Sequence, residues 1–263
     1  MKNFISNIEA IQKFLSSDNS AIVRFIFTDI EGTFQSITVL SSKIQSLNFK
    51  NDLDLKQILD ILVIYGKKNL VLLPDNYTSF NDPCSVQHTH CVLCSVVQLD
   101  DWNCYDDRSS LLQAYYDKKF DVVCGFTLND KNNIDYSTGL DVFFDLRSEI
   151  LLESFKIGVD INSHHTSDNN LCRISFSAAN PLNLGDSIQK IKIIVRNIAA
   201  AYGKSVCFTE AEMKIKSATL FTEEFTMKAR NLFENIDDRN NTLIVKLNTI
   251  DINPYSLMKA LFL

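Results

Sequence analysis

Two short stretches hold most of the side chains that could do chemistry. The first is HTHCVLC, residues 88–94, with His88, His90, Cys91 and Cys94. Imidazoles beside a C-x-x-C pair are zinc-type ligands. The second is SHHTSDNNLCRISF, residues 163–176, where His164 and His165 are adjacent and Cys172 follows. Each stretch also has a plainer reading. The first lacks a second ligand pair at usable spacing. On a strand, His88, His90 and Val92 would share one face and Cys91 and Leu93 the other, which reads as buried thiols on a core strand. His164 and His165 would likewise point to opposite faces and meet one ion only in a bent loop. Their plainer reading is a polar strand end.

Composition narrows the function classes. At 263 residues and 46% hydrophobic, the chain affords one large domain or two modest ones. Net charge is −6, pI about 5.2, and Lys and Arg form no cluster, which argues against nucleic-acid binding. No apolar run reaches the roughly 18 residues of a spanning helix, and Glu9 and Lys13 interrupt the N-terminal apolar pattern that a signal peptide would need unbroken. Seven cysteines without framework spacing read as reduced thiols, so a cytoplasmic protein is expected. Glycine is scarce at 7 residues, where average usage would give roughly 18. Neither GxxxxGK[ST] nor GxGxxG is present. Gly-rich phosphate loops are therefore disfavoured.

The elements that must position these residues are legible from periodicity. Phe4, Ile5, Ile8, Ile11, Phe14 and Leu15 recur at helical spacing, and a helix ends near Ser16. Val23, Phe25 and Phe27, a turn at Glu31-Gly32, then Ile37 and Val39 make a β-hairpin. A helix follows over NDLDLKQILDILVIYG, then strands over NLVLLPD and HTHCVLCSVVQLD. Beyond Trp102 come a helix over DDRSSLLQAYYDKK, a strand over FDVVCGFTLND, a helix over DLRSEILLESFKIG, and strands over VDINSHH and LCRISFSA. GDSIQKIKIIVRNIAAAYGK is the strongest helix, with Asp186 as the expected cap and Gly203 as the end. SVCFTEAEM reads as a short strand, FTEEFTMKARNLFENI as a helix, TLIVKL as a strand, and Asn253-Pro254 as the start of a last helix.

In that order the motifs resemble those of glutamine synthetases. VRFIFTDIEGTFQSITV resembles the N-terminal β-grasp hairpin with its R-F-T-D-x-x-G signature, and LLPDNYTSF is similar to M-L-P-D-x-S-T-A-F. DDRSSLLQ resembles the D-P-R-S helix start, and DLRSEILLESFKIGVDINSHH the D-x-R-x-E helix followed by G-V-x-V-x-x-x-H-H. IVRNIAAAYGKSVCF and TLIVKLNTIDINPYSLMKAL are similar to V-x-N-V-A-x-x-x-G-K-x-A-T-F and R-I-E-V-R-x-P-D-x-x-x-N-P-Y-L-A. The resemblance implies an α+β fold. Residues 1–99 are expected to form a β-grasp-like domain. Residues 100–263 are expected to form a truncated catalytic-type domain, a curved antiparallel sheet with packed helices. The stretch that would carry the glutamate flap and nucleotide contacts, and the helical region after N-P-Y, are expected to have no counterpart.

The resemblance also implies a ligand set that this sequence lacks. The family's reaction uses ATP with Mg²⁺ or Mn²⁺, hard ions that need carboxylates. GFTLN stands at G-P-E-P-E, so Thr127 and Asn129 replace two Glu. HHTSDNNLCRI, aligned without gaps on H-H-E-V-x-P-G-Q-x-E-I, puts Thr166 and Arg173 in place of two more. TLIVK puts Ile244 at another carboxylate, and Lys246 keeps only the charge of the final Arg. Arg147, Glu149 and Lys204 match family positions that are structural. No catalytic residue, metal ligand or cofactor site is expected intact. Three readings stay open. One is a non-catalytic binding or assembly protein, partnered by itself or a full-length glutamine synthetase. Another is an ATP-dependent glutamate–ammonia or other γ-glutamyl ligase of nitrogen metabolism with a rebuilt site, which alone would need ATP and Mg²⁺ or Mn²⁺. The third is a decaying gene product.

Overall fold

Burial follows the apolar period from the first helix onward. In the computed structural model, α1 (Lys2–Ser17) buries Phe4, Ile8, Ile11 and Leu15, spaced four, three and four apart, on one stripe. The hairpin β1 (Ile22–Thr28) and β2 (Phe34–Leu40) closes through Asp29, whose Oδ1 accepts from the backbone N–H of Glu31 and Thr33, with Gly32 at φ +84°. The short α2 (Ser41–Gln45) and α3 (Asp52–Leu62) follow, then β3 (Leu70–Pro74), β4 (Phe80–Asn81) and β5 (Thr89–Gln98). The strands order as β2-β1-β5-β3, with β4 also on β5. β1 runs antiparallel to β2 and parallel to β5, and β3 runs antiparallel to β5. β5 is central, and every residue from Thr89 to Val97 is buried. Phe4, Ile8, Ile58, Leu62, Val92, Cys94 and Val96 share one core.

The structure describes residues 2–29, 31–49, 52–64, 69–112, 118–129, 143–167, 171–217, 225, 227, 229, 236–239, 242–247 and 253–263. The chain divides into two compact units, Met1–Gln113 and Ala114–Leu263, later than the expected division after residue 99. The extra residues belong with the first unit for a physical reason. Past β5 the chain turns back at Trp102, Cys104 bridges to Val97, and α4 (Asp107–Leu112) follows. The buried Arg108 guanidinium then reaches Asp75 Oδ2 and Ser95 Oγ, both at 2.9 Å. A buried guanidinium needs such partners, and both of these lie in the first unit.

The second unit is a six-stranded sheet backed by helices. Its elements are β6 (Lys118–Asn129), α5 (Phe144–Lys156), β7 (Asp160–Ser167), β8 (Leu171–Ala178), α6 (Pro181–Ala201), β9 (Ser205–Ser217), β10 (Ile236–Arg239), β11 (Thr242–Leu247) and α7 (Pro254–Phe262). Strand order is β10-β11-β9-β6-β8-β7, all antiparallel. The expected helix over residues 221–236 falls largely outside the described residues, and Ile236 opens β10. Phe120, Val122, Cys124 and Phe126 of β6, Ile174 and Phe176 of β8, and Met213 and Ile215 of β9 are buried. The helix they face is α6, which buries residues on every side, from Leu184 and Ile188 to Lys190 and Lys192.

α6 begins five residues before the expected cap, Asp186. Asn180 caps it, accepting from the Asn183 N–H at 2.8 Å, with Pro181 in the first turn. Asp186 is instead interior and buried, and accepts from the Tyr255 hydroxyl of α7 at 2.7 Å. Gly203 ends the helix at φ +71°, as the sequence predicts. The α6–α7 contact is close at Gly185, where an added Cβ would lie 2.6 Å from the Tyr255 ring. Gly185→Ala should lower the urea midpoint, because overpacking costs about 1–3 kcal/mol against the ~1 kcal/mol that Ala gains over Gly in a helix. Combined with Tyr255→Leu the loss should be less than additive, which a double-mutant cycle measures.

Candidate functional site

The face of the second sheet away from α6 is polar, and it is where the matched positions gather. Strand parity decides which do. Arg173 of β8 pairs with Gly125 of β6 on one side and with His165 of β7 on the other. The next row runs through Ser163, Ser175, Val123, Glu212 and Lys246, and the one after that through Asp160, Ser177, Asp121, Lys214 and Ile244. A pocket of about 530 Å³ opens over the first two rows. His165, Arg173, Glu210, Glu212 and Lys246 line it over a floor that includes Val123 and Gly125.

A β-bulge brings Glu210 into this group. The β6–β9 register shifts between Cys124, opposite Ala211, and Phe126, opposite Phe208. Thr209 and Glu210 thus share the place across from Gly125. Gly125 is required there: an added Cβ would stand 2.9 Å from Thr209 Oγ1 and 3.0 Å from the Glu210 carbonyl oxygen. With no side chain at Gly125, the Arg173 guanidinium lies across it and donates to Glu210 Oε1 at 2.5 Å. Lys214 stands 3.8 Å from Glu212. Lys216 pairs with Asp121, which also accepts from Ser177 Oγ at 3.0 Å. The Lys216 contact is the main reason the Asp121 carboxyl is held below its ordinary range.

The remaining matched residues separate. Thr127 lies on the same polar face, its Oγ1 at 3.5 Å from the Cys207 carbonyl. Asn129 ends β6 opposite Ser205. Ile244 is on the polar face, across from Lys214. Thr166 registers with Cys172, so it lies on the side opposite Arg173, and the ungapped correspondence places these two on different faces. The histidines part as the strand period requires. His165 is exposed toward the pocket, whereas His164 faces α5. Arg147 Nε donates to His164 Nδ1 at 3.4 Å, and Ser148 Oγ lies 3.2 Å from Nε2. A guanidinium only donates, so Nδ1 accepts and the ring proton sits on Nε2. The same guanidinium reaches Cys172 Sγ at 4.0 Å. A fixed cation therefore stands between His164 and Cys172, where a shared metal ion would have to be.

Residues 106–238, just over half of the chain, match the family described as "Glutamine synthetase, catalytic domain". The chain belongs to the glutamine synthetase family. It is 24% identical to 3-hydroxylaminophenol mutase of Cupriavidus pinatubonensis, over 77% of this chain and 54% of that protein. It is 34% identical over 70 residues to glutamine synthetase of Nostoc sp., which covers 26% of this chain and 15% of that one. The chain thus spans about half the length of the first of these relatives and less of the second. Its fold is that of the Plasmodium falciparum glutamine synthetase solved by cryo-electron microscopy, with TM-score 0.72 at 11% identity over 97% of this chain and 73% of that one. It is also that of a ligand-free GmaS, with TM-score 0.69 at 15% identity over 95% and 78%.

The pocket residues do not fit the divalent ions that glutamine synthesis implies. Hard ions take several oxygen ligands. Here the two pocket carboxylates each sit beside a cation, Glu210 with Arg173 and Glu212 with Lys214. Among the described residues, no group of three or more His, Cys, Asp or Glu side chains could hold a metal ion. Glu210 and Glu212 are the site residues that the sequence reading missed. Their signal was the T-E-A-E-M alternation, in which Ala211 and Met213 are the buried partners.

The first-unit candidates are also drawn apart. His88 precedes β5, and its Nδ1 lies 3.6 Å from Asp18 and 3.1 Å from Ser20 Oγ. His90 is buried and stacks on Phe14 at 4.2 Å between ring centroids. Its Nδ1 lies 3.2 Å from Asn81 Oδ1, and Nε2 has no partner. Cys91 and Cys94 are buried free thiols. Burial pushes Cys91 up to about 12 and raises Cys94 further, so both are held as neutral thiols in the metal-free chain.

Burial also lowers His90 to about 4, partly opposed by the Asp18 carboxylate. The unfolded chain, with an ordinary histidine near 6.5, binds the proton first as pH falls. Stability from neutral His90 is thus fully present above about pH 6.5 and lost as pH falls toward 4, on the order of 2–3 kcal/mol. Urea unfolding of wild type and His90→Phe across that window should converge toward low pH, with the variant losing less between pH 6.5 and 4.

Proposed function

We propose that this chain is a non-catalytic member of the glutamine synthetase family that acts by binding or assembly. The observation that carries this reading is the Arg173–Glu210 pair on the polar face of the sheet. A guanidinium occupies ground that a divalent ion would need, and it neutralises the nearest carboxylate. Lys246 adds a second cation to the same pocket. Positive charge at both places opposes metal binding and, with it, ATP-dependent phosphoryl transfer. Resident ATP, Mg²⁺ or Mn²⁺ is not part of this reading. The partner we propose is a second copy of the chain or a full-length glutamine synthetase. The first unit's strand order, with its hairpin beside a parallel β1–β5 pair, supports a β-grasp-like reading. Seven free thiols, four of them buried, support a cytoplasmic setting, and no helix among the described residues is long and apolar enough to cross a membrane.

A second reading is an active enzyme with a rebuilt site, a γ-glutamyl ligase of nitrogen metabolism. Glu210 and Glu212 favour it, as two carboxylates on one face, and so does the relative named as a mutase, which is an enzyme by its name. Calorimetric titration with Mn²⁺ and with ATP separates the two. The non-catalytic reading expects no saturable binding of either at micromolar concentration. Micromolar binding of both, with glutamine formed from glutamate and ammonia, would overturn it.

A further inference from the structure

We infer that the outward face of α5 is a pairing surface on which a second copy of this chain docks, the two helices antiparallel. This names the surface for the second-copy partner in the reading above and rests on that part of it. The helix is sorted in an unusual way. Its inward side holds Leu146 and Ile150 but also Arg147 and Ser154, all buried. Its outward side keeps Phe144 at 55%, Leu152 at 55% and Phe155 at 67% exposed. Residues 144, 148, 152 and 155 are three or four apart and so lie on one side of the helix. The patch continues onto α6, whose C-cap Tyr202 is 46% exposed and donates its hydroxyl to Glu149 Oε2 at 2.9 Å. Apolar side chains exposed singly need no account, whereas a contiguous patch marks an interaction site.

Area and charge say what fits. With roughly 200 Å² for an aromatic side chain, Phe144, Leu152, Phe155 and Tyr202 present on the order of 400 Å² of apolar surface. A stable interface takes about 800 Å² from each partner, so a polar rim must contribute and the pairing should be reversible, with Kd on the order of 10–100 μM. The rim matches itself. Asp145 and Glu149 are exposed in the first half of α5, and the exposed Lys156 ends it. Asp145 and Lys156 each suit their own helix end, and Lys156 Nζ also pairs with Glu153 at 2.6 Å. Those local roles account for the charges but not for the outward aromatics. In a two-fold, antiparallel pair the ends are exchanged. Lys156 of each copy then meets the acidic half of the other, with Leu152, midway between Glu149 and Lys156, near the axis. A chain of net charge −6 repels its own copies in general, so local complementarity of this kind favours this face.

The experiment is sedimentation velocity of the full chain from about 1 to 300 μM. Wild type should pass from one copy to two across that range. Phe155→Asp should weaken the pairing at least tenfold. Lys156→Glu should weaken it a few-fold, and adding Glu149→Lys should restore it, which a purely intrahelical role for Lys156 would not do. Urea midpoints near wild type would show that the variants are folded. A wild type that stays single at the top of the range, or assembly unchanged in Phe155→Asp, would overturn the inference. So would a chain that stays single yet co-sediments with an added full-length glutamine synthetase. None of these results touches the non-catalytic reading, whereas micromolar binding of Mn²⁺ and ATP by a chain that still pairs would overturn that reading alone.

Discussion

Everything in the second unit depends on one face of its sheet being committed to α6. That helix is buried on nearly every side and is held by α5 and α7 as well as by the sheet. Once it covers one face, strand period two sorts the rest. Cys124, Phe126, Ile174, Phe176, Met213 and Ile215 go inward, and Asp121, Arg173, Glu212, Lys214 and Lys246 go outward. A register slip by one residue would exchange the sets. It would drive several charges into an apolar core, at several kcal/mol per unpaired ion. The polar face is therefore a by-product of the core, and its residues are held by a constraint that has nothing to do with ligands.

That face is organised by mutual neutralisation. Arg173 with Glu210, Lys216 with Asp121 and Lys214 with Glu212 form a lattice of cross-strand and same-strand pairs. Each is partly solvated, and such pairs contribute little singly. Their effect is on what else can bind. Carboxylates already beside cations are poor ligands for a hard ion, and Lys246 adds a further positive charge to the same pocket. The buried polar groups behind the sheet have a different role. Arg147 fixes the His164 tautomer, and Arg108 ties α4 to Asp75. Both are guanidiniums acting as structural fasteners.

Much of this was legible in the sequence because local period and core burial agreed. α1, the hairpin, β3, β5, α5, β8 and α7 fall where the apolar pattern put them. The start of α6 did not, because its first turn carries Pro181 and Asn183 in place of an apolar period, and a buried Asp186 resembles a cap until Tyr255 is seen against it. The place of α4 was hidden because it depends on Arg108 reaching Asp75, 33 residues away. In the site, the separation of His164 from His165 follows from strand geometry and was foreseen. The separation of Thr166 from Arg173 was not, because it is set by the register of β7 on β8, which puts Thr166 opposite Cys172. Glu210 escaped for a subtler reason. The buried residues of β9 change parity, from Phe208 to Ala211, Met213 and Ile215, and a reading that assumes constant alternation cannot place the charges between them.

That change of parity is the extra residue opposite Gly125, and it bears on how this surface can vary over descent. Point substitutions can exchange Glu210 or Lys214 without disturbing the core beneath. Loss of a single codon near Thr209 would likewise spare the core, since one residue would then stand across from Gly125 with Phe208, Ala211, Met213 and Ile215 still facing inward. The bulge is thus the place where β9 can change its length by one residue while the core and the polar face keep their sides.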